Sequence, residues 1–411
     1  MYTDLNKELN DEQRLLKDQM HEFAAQVLRP AAWELDKMSP DDCIRPESRL
    51  RDVFRMAYEQ EFHLRGFPET LGGAHLGPLE SHIVNEEMGW GAADFSIALS
   101  VTSFPFSFAS SRQDERLMKE VVMPFVNDRK GEYIGCWAIT EPGHGSDTLM
   151  PGTTMWNKPE IHYGLTATAD GDDYVLNGQK SAWVSNGTIA THALAFLGVD
   201  RKMGMAGGGV AIVPLDLPGV TKGPPLNKLG QRALNQGEIF FDEVRIPKQY
   251  MLIQPEHYTI AIDAVLAGAN AYMGSTFTGL ARAAFEEALE YTKNRVQGGV
   301  PISEHQLVQK KLFDMFVKVE TSRQLSRATV LYNHHQFPPG TLYSISSKVY
   351  CTQSAFEVAS DALQLHGGYG LTKELLIEKL FRDARASMIE DGSNDILSLT
   401  AAQKILDQYV A

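Results

Sequence analysis

The hydrophobic pattern changes period twice along the chain, and that change limits the possible folds more than any other feature. Up to about residue 130, apolar and charged residues mix at helical spacing in 11–28, 79–91 and 113–127, with loop material at Phe67-Pro68-Glu69 and Leu71-Gly72-Gly73-Ala74. From about 131 to 250 the runs are short and β-prone: Tyr133–Ile139, Tyr174–Leu176, His192–Val199, Gly209–Leu215 and Glu238–Val244. Asn177-Gly178 predicts a hairpin turn between Tyr174-Val175-Leu176 and Gln179-Lys180-Ser181, because both central residues of such a turn need positive φ. After about 251 the helical period returns. Ala281, Ala284, Phe285, Ala288 and Leu289 form an i, i+3, i+4, i+7, i+8 stripe, and 304–333, 341–363 and 395–409 are similar. The chain reads as α+β: a helical domain over 1–130, a β domain over 131–250 and a helical bundle over 251–411.

A formal charge of −14 disfavours nucleic acid as the main partner, since no basic patch offsets it. The cysteines, Cys43, Cys136 and Cys351, are widely spaced and odd in number. This predicts free thiols and the cytoplasm or another reducing compartment. MYTDLNKELNDEQRLLKD is polar and shows no leader pattern. The uncharged run Ala264–Ala281 has about the length of a membrane span, but its Gly, Ala, Ser, Thr and Asn content suits a helix buried in a bundle.

Thr140-Glu141-Pro142-Gly143-His144-Gly145-Ser146-Asp147 follows a strand and can present backbone N–H groups and hydroxyls to a ligand, or be a tight surface loop. Trp137 and Trp183 each end an apolar strand near a hydroxyl residue, which suits either a planar heterocycle or core packing. The turn Gln364–Gly370 is Gly-rich yet matches neither phosphate-binding fingerprint. No metal-ligand spacing and no serine-hydrolase elbow occurs, and adjacent His334 and His335 read as surface residues.

Taken in order, these motifs resemble the acyl-CoA dehydrogenase family over nearly the whole chain. Cys136 to Asp147 resembles its first signature, and Gln364 to Gly370 with Phe381-Arg382-Asp383-Ala384-Arg385 its second. Asn177-Gly178-Gln179-Lys180, Trp183 to Gly187, Lys228 to Arg232 and Phe241 to Pro247 resemble four motifs between them. The resemblance implies a middle β-barrel-like domain, a C-terminal four-helix bundle, FAD, a CoA thioester, an electron-transfer flavoprotein or similar acceptor, and a homotetramer sharing flavin between subunits. It places the flavin ring along Trp137, Ile139 and Thr140 and along Trp183 and Ser185. Ser146 would touch flavin phosphate and coenzyme A, with Arg385 also on the substrate side. Arg295 would reach a neighbouring subunit's pyrophosphate, and Gln364, Gly367 and Gly368 the adenosine side. Gly298-Gly299 stands where the family has Phe-Gly, and the segment Pro151–Thr168, with Trp156 and Tyr163, is longer than the family's.

The resemblance also aligns the family's catalytic glutamate with Asp391 in Glu390-Asp391-Gly392-Ser393-Asn394-Asp395-Ile396. Ser393 then replaces a threonine on the cofactor side, Asp395 supports the first turn of the last helix beside it, and Glu390 replaces a tyrosine and is expected to face solvent or an arginine. Aspartate has a similar intrinsic basicity but a reach shorter by about 1.5 Å. Ala269, where some members carry the base, cannot serve. An aspartate here also occurs in dehydrogenases for alicyclic thioesters and in nitroalkane oxidase, whose serine and arginine partners would fall at Ala269 and Ser398 and are absent. Asp94 is either a helix N-cap or a second acid near the substrate. The implied activity is α,β-dehydrogenation of a cyclic or branched acyl-CoA; the alternatives are a nitroalkane-oxidase-like flavin oxidase and a catalytically silent paralogue.

Overall fold

In the computed structural model, residues 9–74, 76–151 and 153–408 are described, so the N-terminal eight residues and the end of the 395–409 stretch lie outside them. Helix α1 (Asp11–Phe23) begins with a capping box in which Asn10 and Gln13 satisfy each other's backbone N–H. It runs through a π-helical stretch, Ala24–Leu28, into α2 (Arg29–Leu35). Helix α3 (Arg49–Glu59) follows, then α4 (Pro78–Thr102), which breaks at Ala92, and α5 (Phe104–Ser111). Among the described residues one helical run, Pro78–Ser111, is long and apolar enough to cross a membrane, and most of its apolar window is buried inside this chain.

The middle zone is one eight-stranded mixed sheet in the order β6-β7-β3-β1-β4-β5-β8. Its strands are β1 (Gly135–Ala138), β2 (Thr166–Asp170), β3 (Asp173–Ser185), β4 (His192–Gly198), β5 (Gly208–Pro214), β6 (Val220–Lys222), β7 (Gln236–Pro247) and β8 (Met251–Ile253). Strand β2 pairs with both β3 and β4, and β4 and β5 are buried along nearly their whole length and apolar apart from His192. The expected hairpin at Asn177-Gly178 is absent, and β3 passes straight through it. The pair marks a bulge instead: the register against β7 shifts between Leu176 and Gly178, and Gly178 has φ +135°. A Cβ there would come within 2.7 Å of Leu165 Cα, and the Asn177 amide exchanges hydrogen bonds with Glu243 across the bulge. The hairpin falls earlier, at Gly171-Asp172, where Asp170 faces Asp173.

Helix α6 (Pro255–Asn294) spans 40 residues, about 60 Å, and packs with α7 (Gln306–His335), α8 (Thr341–His366) and α9 (Leu376–Ser387). Helix α10 (Asn394–Gln408) closes the chain. Ala264–Ala281 lies within α6 and is largely buried, as its small residues suggest. All three cysteines are buried and free, and His334 and His335 are exposed. Gly298-Gly299 forms the turn of a short hairpin between Val296–Gln297 and Val300–Pro301.

Candidate active site

A cavity of about 990 Å³ opens where the three zones meet. Helix α4 contributes Ile97, Ser100 and Val101, and Phe104 follows at the start of α5; the i, i+3, i+4, i+7 spacing puts them on one face. Helix α6 contributes Ala269 and Tyr272, and the Tyr272 hydroxyl is hydrogen-bonded to Ser96 Oγ at 2.6 Å. The loop Ile139–Ser146, the segment Asn227–Gln231, and Arg385 with the turn Ile389–Gly392 complete the wall.

Trp137, Ile139, Thr140, Ser146, Trp183, Ser185, Arg385 and Asp391 all line this one cavity. Trp183, two residues before the end of β3, is 56% exposed, unusual for so large an apolar group. In the same cavity wall Trp137 Nε1 and Ser181 Oγ are buried and have no partner among the described residues. An exposed aromatic plane with orphaned polar atoms beside it fits a planar heterocycle with a polar edge, as flavin has. The loop is held from below. Glu141 pairs with Lys180 at 2.7 Å and accepts from the N–H groups of Gly164 and Leu165, while Lys180 also donates to Ile139 O. Burial lowers the Lys180 ammonium to about 8 against the pull of Glu141.

The turn carrying Asp391 is clamped more tightly still. Asp391 has φ +49°, a left-handed conformation that aspartate tolerates better than most residues, and Gly392 follows at +95°. Lys348, on α8 and fully buried, donates to Gly392 O at 2.7 Å and Asn394 Oδ1 at 2.8 Å. The Ser393 N–H donates to Ser146 Oγ at 2.9 Å, joining the turn to the first signature loop. Burial raises the Asp391 carboxyl above the usual range, with Lys348 opposing it. Burial equally lowers Lys348, to about 8, against Asp391 and Glu390. Sequence reasoning passed over Lys348, whose only signal is a lone cation between small and apolar residues of one helix.

Several expectations are corrected. Glu390 does not face solvent or an arginine: it lines the cavity, and its Oε1 is buried and unpartnered. Burial and the adjoining Asp391 carry its carboxyl from 4.5 up to about 8, with Lys228 and Lys348 opposing. The folded protein therefore holds a proton that the unfolded chain has released, so stability falls as pH rises from about 4.5 to about 8. Lys228 and Lys348, both lowered to about 8, act above that window with the opposite sign. Glu390→Gln is expected to flatten the decline, which thermal unfolding of the FAD-loaded protein between pH 5 and 8 measures.

Asp94 neither caps a helix nor reaches the cavity. It is fully buried beyond the break at Ala92, paired with Lys379 at 2.9 Å and accepting from the Ala233 N–H at 3.2 Å. Lys379 also pairs with Asp383, which accepts from the Gln231 backbone, so Asp94 acts at a distance on a segment that lines the site. Asp395 is exposed in the first turn of α10, away from the cavity wall. Arg295, Gln364, Gly367 and Gly368 are exposed and do not line the cavity either. They sit at one end of the bundle, where the Tyr291 and His366 rings lie 4.1 Å apart, tilted by 31°. None of the described residues of Pro151–Thr168 lines the wall. Trp156 stacks on Tyr258 and donates to Thr259, and Tyr163 shares a hydrogen bond with Tyr258, so the described part of this segment packs against the start of α6.

Comparison with known proteins matches the N-terminal, middle and C-terminal domains of acyl-CoA dehydrogenase at residues 10–123, 136–244 and 260–406. The mitochondrial short-chain specific acyl-CoA dehydrogenase of Rattus norvegicus is 32% identical, over 98% of this chain and 92% of its own. A cyclohexane-1-carbonyl-CoA dehydrogenase of Geobacter metallireducens is 29% identical, over 97% and 98%. The structure of butyryl-CoA dehydrogenase from Megasphaera elsdenii superposes with a TM-score of 0.83 at 25% identity, covering 99% of this chain and 100% of that one. The chain belongs to the acyl-CoA dehydrogenase family of FAD-binding oxidoreductases, whose fold it carries.

Proposed function

We propose that this acyl-CoA dehydrogenase acts on a cyclic or branched acyl group with Asp391 as the base. The observation that carries the reading is the position of Asp391 in the cavity wall, on a turn held by Lys348 and Ser146. Its buried carboxylate, once ionised, removes the proton on Cα of the thioester, and raised basicity strengthens that step. FAD, when bound along Trp137 to Thr140 and Ser181 to Ser185, supplies the acceptor for the hydride leaving Cβ. Trp183 and Trp137 orient the reacting carbons and exclude water, and Ile97, Val101 and Phe104 give the acyl group an apolar wall. The short reach of aspartate favours a substrate whose Cα is pressed toward the turn, as a ring or a branch does. The relative named for cyclohexane-1-carbonyl-CoA supports that choice.

Arg295, Gln364, Gly367 and Gly368, exposed together at one bundle end, are assigned to the adenosine end of FAD held by a neighbouring copy in a homotetramer. An electron-transfer flavoprotein or similar protein then reoxidises the enzyme. Anaerobic mixing of the FAD-loaded protein with straight-chain, branched, cyclohexanecarboxyl and cyclohexenecarboxyl thioesters tests the reading. Bleaching should be fastest with branched or cyclic members. Fastest bleaching by straight chains would remove the substrate assignment, and none by any thioester would remove the dehydrogenase reading.

A further inference from the structure

Among the described residues the cavity wall holds three carboxyls: Asp391 is the base, Glu141 is paired with Lys180, and Glu390 is left without a task by the dehydrogenation. It stands directly before the base, and its Oε1 is shut away from solvent with no hydrogen-bond partner. The neighbouring lysines act on it through their charge and hydrogen-bond other groups. Lys228 Nζ is bound to Leu234 O at 2.6 Å and Gln236 Oε1 at 2.8 Å, and Lys348 Nζ to Gly392 O and Asn394 Oδ1. Gln231 donates to Asp383 O at 3.2 Å and its side chain also hydrogen-bonds the Glu390 carboxyl. Glu390 lines the ligand cavity, so a polar group of the ligand can meet its carboxyl there.

An acyl group with only C–H bonds would seal the Glu390 carboxyl against apolar surface and offer it no hydrogen bond. A carbonyl substituent only accepts, so it would match the carboxyl only while that is protonated. A hydroxyl serves both states, since it donates to the carboxylate and can accept from the acid. Burial and the neighbouring Asp391 carry the Glu390 carboxyl to about 8, so both states occur near neutral pH.

We propose that Glu390 is a specificity-determining residue that binds a hydroxyl on the acyl group, so that the preferred substrate is a hydroxy-substituted cyclic acyl-CoA. This rests on the dehydrogenase reading above and narrows its substrate class. Sites that hydrogen-bond a substrate hydroxyl discriminate strongly against the analogue lacking it, because the buried protein group then stays unpaired.

The test compares anaerobic flavin reduction by cyclohexanecarboxyl-CoA with that by the same thioester bearing a ring hydroxyl meta or para to the carbonyl. In the wild type kcat/KM should be at least about 100-fold higher for one hydroxylated thioester. Glu390→Leu should collapse that ratio to within a few-fold of one by losing activity on the hydroxylated substrate. Glu390→Gln, which keeps a donor and an acceptor of the same shape, should retain most of it and serves where the Leu variant does not fold. A wild type that reduces both substrates equally, or prefers the plain ring, overturns the inference while leaving the dehydrogenase intact. A hydroxyl preference that survives in both variants also overturns it. If no thioester reduces the flavin, the underlying reading fails instead.

Discussion

Asp391→Asn is expected to slow flavin reduction by the best thioester roughly 10,000-fold, the upper end of what a positioned base contributes. The substitution keeps the shape of the side chain, and the turn is held by contacts that do not involve the carboxylate: Lys348 to Gly392 O, Ser393 N–H to Ser146 and Asn394 N–H to Met388 O. FAD content and thioester binding should therefore stay within a few-fold of wild type, and the loss should fall on the reductive step. Asp391→Glu retains a base but advances it by about 1.5 Å, a displacement large enough to cost on the order of 100-fold with the substrate the aspartate suits. The Glu variant should also lose less with a straight-chain thioester than with a ring. Stopped-flow reduction of each variant measures these effects. An Asn variant with more than a tenth of the wild-type rate would mean that the proton goes to another group.

The three-part architecture was legible because periodicity reports which side of an element is buried, and burial decides both helices and strands. The β4 and β5 runs and the α6 stripe show that signal at full strength. Turn chemistry was less transparent. Asn177-Gly178 offers positive φ to any structure that needs it, and here the need is a bulge against β7 rather than a chain reversal. Strands β2, β6 and β8 went unread because a strand of three to five residues, as β2 shows with half its face exposed, carries little periodicity. In the site, the residues on the signature loops were named through the family resemblance, whose motifs are contiguous in sequence. Lys348 and the inward aim of Glu390 were not, since both depend on how α8 and the 388–391 turn meet in space. Asp94 shows the same limit. An aspartate near a helix break reads as a cap, and only the fold brings Lys379 to it from 285 positions away.

Arg282→Met is expected to destabilise the protein by about 3–5 kcal/mol, the range found when one partner is removed from a buried ion pair. Arg282 is 2% exposed and stands between two buried glutamates on α4, Glu86 at 2.8 Å and Glu87 through both guanidinium nitrogens. Glu86 is also paired with Arg323 on α7, and Glu87 with His21 on α1, so one cluster ties four helices together. Burial works against ionisation of Glu86, yet Arg323 and Arg282 hold it well below the usual carboxylate range. Glu87 is lowered likewise against its own burial, chiefly by Arg282. Methionine matches much of the volume but leaves Glu87 charged, enclosed and facing only His21. Removing the charge as well, in Arg282→Met with Glu87→Gln, should recover a large part of the loss, because the penalty lies in the abandoned carboxylate rather than in the missing contact. The pH response follows from the depressed carboxyls: their contribution is present above about 4.5 and is lost as pH falls through their folded values. Denaturant unfolding at pH 7 and pH 4 measures both effects. The single variant should sit far below wild type at pH 7, and the gap should narrow at pH 4, where Glu87 can take up a proton. A single variant as stable as wild type at pH 7 would show that the cluster is a passive filling of the core.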